Sequence, residues 1–191
     1  MRKIVFDIET SNFFPDVGVN DPAALDISVV CIYDSETNLY SSFPENQLKG
    51  LWPIIEKADM LIGFNSDHFD IPLLNKYYPG DLTKIKSLDI LHEIKNSYGR
   101  RMKLNQIAEG TLGRNKTAHS FMANEWWKKR EYQKVIDYCL EDVKITKEIY
   151  DFAIANNKLI FKEGGKLIEI PLDTSEWERF EENSITHTLP F

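Results

Sequence analysis

Residues 2–9 alternate strictly, with Ile4, Phe6 and Ile8 on one face and Val5, Asp7 and Glu9 on the other, the period-two pattern of a β-strand. Apolar runs at 27–33 and 38–43, separated by the turn-rich Asp34-Ser35-Glu36-Thr37, predict two more strands and, with the first, an antiparallel meander. Residues 45–57 carry Leu48, Leu51, Trp52 and Ile55 at helical spacing and predict a crossover helix. The short apolar run 60–64 then reads as a buried strand returning parallel to the first. Asp70 opens another helix with Pro72 near its first turn, and Ser87-Leu88-Asp89 ends a fifth strand. Helices are predicted over 90–97, over 104–111 with a stop at Gly110 or Gly113, and over 131–156. The last has Ile136, Cys139, Leu140, Val143 and Tyr150 along an apolar stripe. Residues 159–170 form a hairpin around Gly164-Gly165, and residues 173–191, polar with scattered aromatics, read as extended or disordered. The result is an α/β chain: a mixed five-stranded sheet flanked by helices over residues 1–158, with a C-terminal β-hairpin and tail, 159–191, appended to the same domain. The loop 12–21 carries no assigned role.

Composition adds limits. At 191 residues, 42% hydrophobic and 28% charged, the chain suits one globular domain. No run approaches the roughly 20 apolar residues of a membrane span. The basic start, Arg2-Lys3, meets Asp7 too early for a signal peptide. Cys31 and Cys139 lie in apolar surroundings and read as reduced thiols, so a cytoplasmic protein is expected. A net charge of −7 argues against nucleic-acid binding, although two divalent ions would bring it to −7 + 4 = −3. The cations are clustered as Arg100, Arg101 and Lys103, as Arg114 and Lys116, and as Lys128, Lys129 and Arg130. Singly each cluster reads as a solvated loop or helix end; together they allow a shared basic face.

Four carboxylates stand at or beside the ends of strongly apolar elements: Asp7, Glu9, Asp70 and Asp142. Ionised carboxylates are costly there unless paired or bound to metal. Asp7 and Glu9, two apart on a strand, project together and could share a cation; the alternative is the polar face of an edge strand. Asp70, on local grounds, reads as the N-cap of its helix, and Asn65 as a loop asparagine. Tyr138 and Asp142 are four apart on the long helix and share a face, with Asp137 and Glu141 as solvated neighbours. Asp89 reads as the N-cap of the helix over 90–97. His68, His92, His119 and His187 show no metal-ligand spacing, and neither a Ser or Cys nucleophile nor a phosphate-cradling glycine loop is recognisable.

The order of these weak signals is specific. Asp7-Ile8-Glu9-Thr10 ending a first strand, Asn65-x3-Phe69-Asp70 opening a helix after a fourth, and Tyr138-x3-Asp142 on a late helix resemble the three exonuclease motifs of the DEDD superfamily. The chain is most similar to the tyrosine branch, which includes the proofreading exonuclease domains of family B DNA polymerases. The resemblance covers residues 2–155 in an RNase H-like strand and helix order and extends to the stretch Lys103 to Gly113. The histidine branch carries His five residues before its last Asp, where this chain has Asp137.

The resemblance implies that Asp7, Glu9, Asp70 and Asp142 ligate two Mg²⁺ or Mn²⁺ ions and that Tyr138 positions the attacking water. The implied reaction is 3′–5′ hydrolysis of the terminal phosphodiester of single-stranded nucleic acid, DNA favoured over RNA although no local motif reveals how a 2′-hydroxyl is treated. Thr10, Phe13, Phe14, Asn65, Arg101 and Lys103 are the candidate substrate-binding residues. Tyr98, Phe121, Trp126 and Trp127 are further stacking candidates for which core packing serves equally well. The expected partner is the 3′ end of single-stranded DNA or RNA, with no membrane and with a replication or repair partner left open. A non-catalytic nucleic-acid-binding module of the same fold and a metal-dependent endonuclease are the alternatives. Residues 185–191 bear a faint similarity to clamp-docking peptides, for which chance is the better explanation.

Overall fold

The structure, a computed structural model, describes residues 1–114 and 121–179, the side chain of Phe121 excepted. Five strands, β1 (Lys3–Thr10), β2 (Ile27–Asp34), β3 (Leu39–Pro44), β4 (Met60–Gly63) and β5 (Lys86–Asp89), form one mixed sheet in the order β3-β2-β1-β4-β5. The meander is antiparallel, and β4 and β5 run parallel to β1 with Ile4 opposite Leu61 and Ile62 opposite Leu88. This is the predicted RNase H-like arrangement, with β1 at its centre.

The alternation of β1 divides the core. Ile4, Phe6 and Ile8 bury against Leu25, Leu61, Ile71 and Leu73 on one side of the sheet. Val5 belongs to the opposite cluster with Cys31, Ile62, Cys139 and Val143. Each fully buried aliphatic side chain contributes about 1.5–3 kcal/mol. Asp7 and Glu9 continue the Val5 face, so a carboxylate pair stands where that core meets the end of the strand.

Seven helices connect and cover the strands among the described residues: α1 (Phe14–Val17), α2 (Trp52–Ile55), α3 (Asp70–Asn75), α4 (Ile90–Tyr98), α5 (Leu104–Leu112), α6 (Phe121–Lys128) and α7 (Tyr132–Asn156). The single helix expected over 45–57 is instead a 3₁₀ turn, Glu45–Gly50, followed by the four-residue α2. Pro53 has no N–H to continue an α-helix from the preceding turn, and Gly50 weakens it further. Leu48, Leu51 and Ile55 are buried all the same. Helix α6, with Trp126 and Trp127, was not anticipated at all.

The hairpin strands β6 (Lys158–Glu163) and β7 (Lys166–Pro171) pair separately from the main sheet. Gly164 and Gly165 turn them at φ 57° and 78°, the left-handed pair that a tight two-residue hairpin loop requires. Leu159, Phe161 and Ile170 bury in the same cluster as Val5 and Cys139. Residues 173–179 are neither extended nor loose. Trp177 is 4% exposed and stacks on Tyr150 at 6.0 Å, and Glu178 accepts hydrogen bonds from Tyr150 and Lys3, both at 2.6 Å. The clamp-like 185–191 segment, Lys116 and His119 lie outside the described residues.

Candidate functional site

Glu9 and Asp7 leave β1 toward α7, which carries Tyr138 and Asp142 one turn apart on its buried face. One carboxylate oxygen from each of Asp7, Glu9 and Asp142 lies within 4.8 Å of the other two. Asp7 is half-buried as a residue, yet its Oδ2 is buried and meets no hydrogen-bond donor among the described residues. Burial, then the charges of Asp142, Asp70 and Glu9, hold the Asp7 carboxyl well above the usual carboxylate range. Crowded carboxylate oxygens are the donor set that hard divalent ions prefer, so these residues fit such an ion.

Asp70 is the first residue of α3, not its cap. Phe69 occupies the N-cap position, and no side chain caps the helix. The loop before it takes up the early N–H groups itself: Phe69 donates to the Asn65 carbonyl at 3.1 Å and Ile71 to the Ser66 carbonyl at 2.9 Å. The Asp70 side chain is thereby released into the site, 5% exposed. Burial, then the Asp89 charge, pushes it up to about 8, opposed by hydrogen bonds from the N–H groups of Ile8 and of Asp70 itself. Asp70 lines the same cleft and raises Asp7, but its oxygens are not part of the three-residue cluster.

Tyr138 is buried, its ring edge-on to Trp126 at 6.1 Å. Burial, followed by the negative charge of Asp142, Glu9 and Asp7, raises its phenol far above the ordinary value, so the hydroxyl stays protonated. Asp89 caps α4 as predicted, accepting from Leu91 at 2.9 Å and His92 at 3.3 Å. It also accepts from the Asn65 and Asp67 N–H groups at 2.7 and 3.2 Å, tying the β4–α3 loop to α4. That loop is tight: a Cβ on Gly63 would fall 2.4 Å from Ser66 Cβ.

All five acid and phenol candidates line one cleft of about 700 Å³, together with Thr10, Phe13, Phe14, Asn65 and Lys103. Phe14 packs edge-on to Phe69 at 6.2 Å, and Lys128 of α6 places its ammonium 5.4 Å over the Phe13 ring. Arg101 does not form the cleft wall; its guanidinium donates to Asn65 Oδ1. Tyr98 lies elsewhere, against Phe161, and Trp127 packs on Tyr132 beside a second cavity of about 420 Å³. Of the basic clusters, Arg100 pairs with Glu163 and Arg114 with Glu148 and Glu141, while Lys103 lines the cleft and Lys128 reaches it through Phe13. Sequence reasoning missed Asn105, Phe64 and Phe69 on the cleft wall. It also missed Asn124, 2% exposed, whose Nδ2 donates to the Thr10 carbonyl at 3.3 Å. Only the motif-like stretch from Lys103 onward could have pointed to Asn105.

A central strand flanked by an antiparallel meander and a parallel pair, with an acidic cluster between that strand and a late helix, defines an RNase H-like α/β protein. Residues 4–154 match the family model RNase_H_2 of the RNase H superfamily, and the chain belongs to that family. The membership supports a nuclease-type function acting on nucleic acid. A sequence comparison with curated proteins gives no match. Among solved structures the chain is similar to the family B DNA polymerase from the hyperthermophilic archaeon Pyrobaculum calidifontis, with TM-score 0.62 and 17% identity over 81% of this chain. The match spans 24% of that polymerase, and the likeness is one of fold. No helix among the described residues is long and apolar enough to cross a membrane.

Proposed function

We propose that the protein is a two-metal-ion-dependent 3′–5′ exonuclease acting on the 3′ end of single-stranded nucleic acid, with DNA favoured over RNA. The observation that carries this reading is the meeting of Asp7, Glu9 and Asp142 oxygens within 4.8 Å around a buried acceptor, Asp7 Oδ2, that no protein donor among the described residues satisfies. These three residues and Asp70 would hold Mg²⁺ or Mn²⁺. When bound, such ions supply Lewis-acid stabilisation of the charge that develops during phosphodiester hydrolysis.

The chain's own groups do the rest. Tyr138, kept protonated, orients the attacking water through its hydroxyl and is not a base. Phe13 and Phe14 offer faces for the terminal bases, with Thr10 beside them, and Lys103 a charge for the phosphates. Asn65, which also lines the cleft, contributes hydrogen bonding. Residues 1–158 form the nuclease domain, with 159–191 appended to it, and the reduced thiols suit a cytoplasmic protein. Similarity in fold to a DNA polymerase supports DNA as the substrate and replication or repair as the setting.

A 5′-labelled single-stranded oligonucleotide tests the proposal. With Mg²⁺ or Mn²⁺ it shortens as a ladder from its 3′ end, and chelation stops the reaction. Cleavage of circular single strands would instead make the protein an endonuclease, and metal-independent binding without degradation would make it a binding module.

A further inference from the structure

Asn65 is held from two sides. Its backbone is left-handed, φ 69°, a conformation that asparagine tolerates better than most residues. Its N–H donates to Asp89 Oδ1 at 2.7 Å, and Asp89, 6% exposed, is itself fixed by the cap of α4. What remains free is the rotation of the side chain, and there Arg101 acts. A guanidinium carries donors only, so it must meet the oxygen of the Asn65 amide and not its nitrogen. The planar amide then has its Nδ2 turned away from Arg101, with no protein acceptor among the described residues, and of the two residues it is Asn65 that lines the cleft. Arg101 is exposed and forms no ion pair among those residues, unlike Arg100 beside it.

We propose that Arg101 is a positioning residue that fixes the Asn65 amide with its nitrogen toward the cleft, so that Asn65 offers N–H donors to a phosphate oxygen of the bound strand. The proposal rests on the exonuclease reading of the cleft. It assigns to Arg101 a part other than direct phosphate binding, and it explains why an amide suits this position. An Asp in place of Asn65 would pair with Arg101 equally well but would turn an oxygen toward an anionic substrate. A neutral donor adds no charge to a cleft floor already crowded with carboxylates.

The test is a double-mutant cycle on single-stranded DNA degradation with Mn²⁺, using Arg101→Ala, Asn65→Ala and the double variant. Each single change raises KM roughly tenfold, the scale of one hydrogen bond, with kcat within about twofold. The double variant is no worse than Asn65→Ala alone. The dependence of log KM on log salt keeps its slope in Arg101→Ala, Arg101→Lys recovers part of the loss, and Asn65→Asp is at least as poor as Asn65→Ala. Additive losses in the double variant, or a salt slope lower by about one in Arg101→Ala, would mean that Arg101 grips phosphate directly and would overturn the proposal. A second readout needs no turnover: the side-chain amide of Asn65 is rigid by ¹⁵N relaxation in the metal-free protein and becomes mobile in Arg101→Ala. An amide already mobile in the unmodified protein sinks the positioning role. A rigid amide in a protein that degrades nothing sinks the exonuclease reading alone.

Discussion

The thiol of Cys139 donates to the main-chain carbonyl of Asp7 across 3.3 Å. This contact sets the register of α7 on β1. Tyr138, next to Cys139, and Asp142, three residues further on, consequently face the carboxylates of the same strand. Both cysteines are free and buried, and burial pushes the Cys139 thiol well up, so it is an uncharged packing group.

From that register the roles on α7 separate. Asp142→Ala and Asp7→Ala each remove a member of the acidic cluster and should lower turnover by about 10⁴-fold or more. Tyr138→Phe removes one positioned hydroxyl and should lower it by roughly 10²-fold, the low end for a single proton-handling or orienting group. Single-turnover rates on a labelled oligonucleotide, with far-UV circular dichroism to show intact folds, check the ranking. A loss in Tyr138→Phe as large as in Asp142→Ala would contradict an orienting role.

The metal-free protein should lose stability as pH rises. Asp70 protonates at about 8 in the folded protein, because of burial and then the Asp89 charge, against roughly 4 in an unfolded chain. Between those values the folded state holds a proton that the unfolded chain has released, so stability falls with rising pH. The contribution is fully present below about pH 4 and gone above about pH 8, and its size is on the order of a few kcal/mol at most. Asp70→Asn, which cannot titrate, should flatten the curve. Urea unfolding in chelator at pH 5 and pH 8 measures this, and equal losses in the two proteins would show that Asp70 is not the group responsible.

Divalent ions should reverse that penalty. A ligand at 100 times its dissociation constant stabilises the folded state by about 2.7 kcal/mol, equivalent to roughly 5–10 °C for a chain of this size. Thermal unfolding with saturating Mn²⁺ should show such a rise. The rise should be larger at pH 8 than at pH 5, because the ions compete with protons for the same oxygens. In Asp7→Asn most of it should vanish. A shift that survives Asp7→Asn unchanged would place the ions elsewhere.

Much of this arrangement was readable from local pattern because the signals were local. Strict alternation placed Asp7 and Glu9 on the face of Val5, one glycine pair marked the hairpin turn, and the spacing of Tyr138 and Asp142 fixed their common face. The failures have physical causes of another kind. Asp70 mimics a cap until the preceding loop is seen to satisfy the helix from Asn65 and Ser66. Residues 45–57 keep helical spacing in their apolar positions while Pro53 forbids the continuous helix. Trp177 lies in a polar stretch with no periodicity, and only the three-dimensional approach of Tyr150 and Glu93 explains its burial. The coupling of Arg101 to Asn65 joins residues 36 apart in sequence, which no local pattern records.

The hairpin lies beyond residues 4–154, the part that matches the family, yet α5 is packed against it without slack. A Cβ on Gly110 would sit 2.4 Å from the Ile160 carbonyl oxygen and 2.5 Å from Phe161 Cα. Thr111 fixes the same strand, donating to the Ile160 carbonyl at 2.8 Å and accepting from its N–H at 2.9 Å. Gly110→Ala therefore sets two effects against each other. Helix propensity alone favours alanine by about 1 kcal/mol. The clash is with backbone, which cannot rotate aside, and overpacking of that kind costs roughly 1–3 kcal/mol or more. The clash should win, lowering the melting temperature by several degrees. The N-terminal end of α5 carries Lys103, Leu104 and Asn105 on the cleft wall, so KM for single-stranded DNA should rise in the same variant. A melting temperature equal to or above that of the unmodified protein would show that the hairpin yields readily and does not brace the helix beside the cleft.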